Sequence, residues 1–77
     1  ANTDNLLKIF DMLEKESNSL LEKNLSLPAY DQCLKASHVF NILDARGVIS
    51  VAQRAEYISR IREITKNVGK IWLENQT

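Results

Sequence analysis

Glycine and proline are nearly missing from this chain, with two Gly and one Pro in 77 residues. A turn-rich β fold needs both at many positions, so their scarcity excludes one and favours long uninterrupted helices. Cysteine occurs once, at Cys33. A lone thiol rules out an internal disulfide and fits a reducing cytoplasm. Neither sign of charge dominates: ten bases balance ten acids, which removes the electrostatic footprint of a nucleic-acid binder. No apolar run approaches the roughly 20 residues that span a bilayer. No basic stretch leads an apolar one, as a secretory signal requires.

Hydrophobic residues make up 44% of the chain, enough for one small core. A domain of this length buries only about 60% of the surface its unfolded form exposes, so residues 1–77 are read as a single helical domain with a thin margin. The chain opens on Ala1, and its only Met, Met12, lies inside the first periodic segment. Both features lead us to expect a fragment or processed product of a longer protein. The charge drifts from slightly acidic in residues 1–27 to slightly basic in residues 48–77, too shallow a gradient to name a partner.

Apolar periodicity predicts three helices, over about 4–24, 28–45 and 51–74. In the first, Leu6, Phe10, Leu13, Ser17 and Leu20 recur at spacings of four and three. Ile9 and Leu21 widen that stripe into a core face. Asn2 or Thr3 is the expected N-cap, and Asp4/Lys8 and Asp11/Lys15 stand in the favourable acid-first order. Pro28 is expected at the first position of the second helix, with Leu27 outside it and Asp31 in the first turn. Ala29, Cys33, Ala36, Phe40 and Leu43 form its core stripe, and Arg46 and Gly47 close it. Ser50 and Gln53 have the spacing of a capping box at the start of the third helix. There Tyr57, Ile61, Ile64, Val68 and Ile71 give the main stripe, widened by Ile58 and Trp72. Gly69 inside that helix costs about 1 kcal/mol relative to Ala, a cost that close packing would explain. Short connections make consecutive helices antiparallel, so the expected fold is all-α, a three-helix up-down-up bundle with a long third helix.

Chemistry is hard to build from what is present. His38 is the only histidine, and its five-residue separation from Cys33 misses the three or four that put two ligands on one helical face. Ser37 and His38 are adjacent and point apart. Cys33 falls on the core stripe, away from any activating base. Asp11, Glu14, Glu16 and Glu22 read as a solvated face. Asp44 sits unfavourably near a helix C-terminus, where Arg46 or Arg54 would compensate it. The helix-2 residues Leu34, His38 and Ile42 form a second, mixed face away from the core stripe. With Arg46, Arg54 and Arg62 they are the candidate interface residues. Arg62, Lys66 and Lys70 repeat every four residues along helix 3, the one feature that suits an alternative, a freestanding helical RNA-binding module.

The words LPAYDQCLKASH, FNILDARG and ISVAQR, spread over residues 27–62, resemble the C-terminal helical region of the α subunit of bacterial heterotetrameric glycyl-tRNA synthetase. Ala52-Gln53 stands where Thr-Glu is frequent in that family, and Gly47 where a base is common. The resemblance implies a parent class II aminoacyl-tRNA synthetase that activates glycine with ATP and magnesium and charges tRNA-Gly. It implies a β subunit that supplies most tRNA recognition. The activation site of that family lies in an antiparallel-sheet domain preceding the helices, and neither its arginine-bearing motif nor its Gly-rich motif can be located in these 77 residues. No catalytic, cofactor-binding or metal-binding residue is therefore carried over. The resemblance makes this chain a non-catalytic accessory domain. Its partners would be the β subunit and the catalytic domain of its own subunit, with tRNA-Gly reached through the whole complex.

Overall fold

A computed structural model describes residues 2–76, with Asn2 described by its backbone alone. Three helices account for almost all of them: α1 (Asn2–Glu22), α2 (Ser26–Ala45) and α3 (Val51–Gln76). They pack up-down-up, with α2 antiparallel to both neighbours, and α3 is the longest, as the periodicity predicts.

Local chemistry sets each boundary. Thr3 already lies within α1, and Asn2, the other expected N-cap, has a side chain outside the described residues. The helix stops at Glu22 because Asn24 takes a left-handed backbone with φ 62°. The Leu25 amide then reaches back to the Leu20 carbonyl at 2.9 Å and the Asn24 amide to Leu21 at 3.0 Å, the paired bonds of a Schellman cap.

The start of α2 corrects the sequence reading. The helix begins at Ser26, two residues earlier than expected, and Leu27 is helical despite preceding a proline. Pro28 becomes the third helical residue, where its missing N–H is one of the amides that has no intrahelical partner anyway. Asp31 consequently leaves the first turn and pairs with Lys35 at 3.5 Å instead. Gly47, with φ 64°, ends α2 in the left-handed region that glycine tolerates. The capping box forms as predicted, with the Gln53 amide donating to Ser50 Oγ at 3.1 Å and the Ser50 amide to Gln53 Oε1 at 2.8 Å. α3 runs two residues beyond the expected 74.

The core divides into two clusters along the bundle. Phe10, Ala36, Val39, Phe40, Leu43 and Tyr57 fill one end, where the Phe10 and Tyr57 rings meet edge to face at 4.7 Å. Leu21, Ala29, Cys33, Ile64 and Val68 fill the other. Small residues at Ala29 and Cys33 bring the helices close enough for buried Ser17 to donate its hydroxyl to the Ala29 carbonyl at 2.8 Å. Cys33 is buried, with Sγ 3.5 Å from Thr65 Oγ1. Asn75 Nδ2 donates to the Asn24 carbonyl at 3.1 Å and ties the end of α3 to the α1–α2 corner.

Candidate interaction face

α2 is apolar on one side and mixed on the other. Ala29, Cys33, Ala36, Phe40 and Leu43 are all buried against α1 and α3. One step around the helix, Leu34 keeps 50% of its surface in water. Leu34, His38 and Val39 line one wall of an open groove of about 460 Å³, and Ile9 and Leu13 of α1 line the other. The Asp31–Lys35 ion pair stands at its rim. Ile9 corrects the sequence reading: it was expected in the core, yet 42% of it is exposed. Stripe width shows how much of a helix is apolar, not where its neighbours stop covering it. Ile42, half-buried, lies one turn beyond His38 on the same helix.

The other candidate residues do not converge on this groove. Arg46 caps α2 in an exposed position, its amide bonded to the Ile42 carbonyl at 3.1 Å. Arg54 donates to both Asp44 oxygens, at 3.2 and 3.3 Å. It therefore serves as the local counter-charge for the helix C-terminus that Asp44 would otherwise disfavour. Arg62 is exposed on α3 and does not line the groove.

The strongest polar constellation was not legible beforehand. Arg60 Nε donates to Glu14 Oε1 and Oε2 at 3.2 and 3.0 Å, and its Nη2 to Asp11 Oδ1 at 2.7 Å and to Glu14 Oε1. Its guanidinium carbon lies 4.8 Å from the Phe10 ring centroid and 5.0 Å from that of Tyr57, within cation–π range. The Glu14 hydrogen bond raises the Arg60 pKa above its ordinary value; burial opposes this, and Asp11 adds to it. Asp11 and Glu14 thus form one side of a clamp between α1 and α3, not the solvated face expected of them. Asp11 pairs there and not with Lys15, and no Asp4–Lys8 pair forms among the described residues.

Two further expectations change. Gly69 has no atom within 4 Å of where a Cβ would stand, so packing inside this chain does not account for it. Trp72, expected to widen the core stripe, remains 45% exposed beside the corner formed by Leu25, Leu27 and Pro28. Among the described residues, no three His, Cys, Asp or Glu side chains converge as metal ligands. No described helix is long and apolar enough to cross a membrane.

Apart from the Asp31–Lys35 pair within α2, the side-chain contacts described above cap a helix or join two of them, while the apolar groove between α1 and α2 lies open. The class defined by this fold and face is an all-α helical bundle domain with an uncovered apolar side. The family model for the glycyl-tRNA synthetase alpha subunit matches residues 1–77, and the chain belongs to that family. Its place is therefore among the aminoacyl-tRNA synthetases of translation.

Proposed function

We propose that this chain is the non-catalytic helical domain of a glycine–tRNA ligase α subunit and that it acts by protein–protein contact. The outer side of the α1–α2 hairpin, with Ile9, Leu13, Leu34, His38 and Ile42, packs against the synthetase β subunit or the catalytic domain of its own subunit. The observation that carries this reading is the groove itself: two helices present apolar walls to water where a third layer would bury them. Burial of such side chains is worth about 25 cal/mol per Å² of apolar surface removed from water. In this reading the parent enzyme is cytoplasmic, activates glycine with ATP and magnesium elsewhere in the subunit, and reaches tRNA-Gly through the complex. No residue of this chain is assigned to ATP, magnesium or the glycyl group.

The test is the double substitution of Leu34 and Ile42 by Ser. Immobilised wild-type chain should retain the β subunit or the separately expressed catalytic domain, and the double variant should lose most of that retention while keeping its helical circular dichroism. Equal retention by both chains would remove the assignment. A second reading, an RNA-binding module, draws on Arg62, Lys66 and Lys70, which make no ion pair among the described residues. It predicts steeply salt-dependent binding of tRNA by the chain alone, and zero net charge stands against it.

A further inference from the structure

α3 carries a second stripe that neither its own core nor the α1–α2 groove uses. Val51, Ala55, Arg62, Lys66, Gly69 and Leu73 fall within an arc of about 60° at 100° per residue, and all six are exposed. Val51 is 89% exposed and Leu73 62%. The stripe follows an eleven-residue pattern (51, 62, 73 and 55, 66), so it runs nearly straight along the helix for about 33 Å. It is apolar at both ends and cationic in the middle, with a small residue between each apolar end and the cations. Gly69 is the telling position: a glycine in a helix interior, with open space around it, lets another backbone approach closely.

We propose that this stripe docks an acidic amphipathic helix of a protein partner. Carboxylates in the middle turns of that helix would face Arg62 and Lys66, and long aliphatic side chains on either side would settle over Ala55 and Gly69. A second copy of this chain fits poorly. Centring two such stripes on one another, parallel or antiparallel, brings two Arg62 and two Lys66 side chains together, and like charges at such range repel. RNA fits poorly as well, because the apolar ends gain nothing from phosphates. The surface is separate from the α1–α2 groove, so it stands whether or not that groove is an interface.

The test uses the 77-residue chain and a synthetic helical peptide of about 24 residues carrying Leu on one face and Glu in its two middle turns. Its counterpart has Lys in place of Glu. Trp72, the only tryptophan, lies beside Gly69 and Leu73 and reports binding by fluorescence. The Glu peptide should bind at least tenfold more tightly than the Lys peptide, and the joint variant R62E/K66E should reverse that preference. Gly69→Leu should weaken Glu-peptide binding at least tenfold while raising the melting temperature by about 5 °C, since Leu is the better helix former and meets no neighbour within the chain. The Leu34/Ile42 double variant should bind the peptide as the wild type does, which separates this surface from the α1–α2 groove. Absence of peptide binding, equal affinity for the two peptides, indifference to Gly69→Leu, or tighter binding of tRNA through Arg62 and Lys66 would each overturn the proposal.

Discussion

The two sides of α2 contrast within one helix. On the inner side, Ala29, Cys33, Ala36, Phe40 and Leu43 meet complementary surfaces from α1 and α3 and are buried. On the outer side, Leu34 and His38 line an open groove opposite Ile9 and Leu13 and remain exposed, and Ile42, one turn further on, is half-buried. The inner side is what the chain needs in order to fold. The outer side is covered far less, and the contact proposed above would account for its apolar content. The same contrast recurs on α3 between Tyr57, Ile64 and Val68, which are buried, and the exposed Val51–Leu73 stripe.

Substitutions on the two sides of α2 should therefore differ sharply. The largest effect should follow Leu43→Ala, which empties space around a side chain with no exposed surface. We expect a loss of about 2–5 kcal/mol in urea unfolding, a large part of the roughly 5–10 kcal/mol total for a chain this size. Arg60→Met should cost about 1–2 kcal/mol, because Glu14 and Asp11 lose their partner while the methionine keeps contact with the Phe10 and Tyr57 rings. Arg60 has a raised folded-state pKa, so its contribution is fully present below the ordinary guanidinium range and is lost only as pH rises above it. The difference between wild type and variant should then stay flat from pH 6 to 9. The smallest effect belongs to the outer side: Leu34→Gln should change stability by no more than about 0.5 kcal/mol. A cost at Leu34 equal to that at Leu43 would erase the contrast.

Much of the fold was legible from local signals. The Ser50–Gln53 box, the Gly47 terminus and the core stripes rest on spacings of three or four residues, where spacing alone defines geometry, and the Asp44–Arg54 pair spans only ten residues across one short connection. The Arg60 clamp was not legible, because its partners stand 46 and 49 residues away in sequence and become neighbours only when α1 and α3 run parallel. The start of α2 was misplaced because proline restricts the residue before it only on average, and a first helical turn accommodates its ring. Of the candidate face, Leu34, His38 and Ile42 could be marked as surplus to one core. The opposite wall at Ile9 and Leu13 could not, since apolar periodicity does not show how far a neighbouring helix reaches.

Glycine-dependent ATP–pyrophosphate exchange most directly separates a scaffold from a catalyst. Supplied with glycine, ATP, magnesium and labelled pyrophosphate, the purified 77-residue chain should incorporate no label above the protein-free control. Sustained incorporation that requires glycine and rises in proportion to this chain would contradict the account.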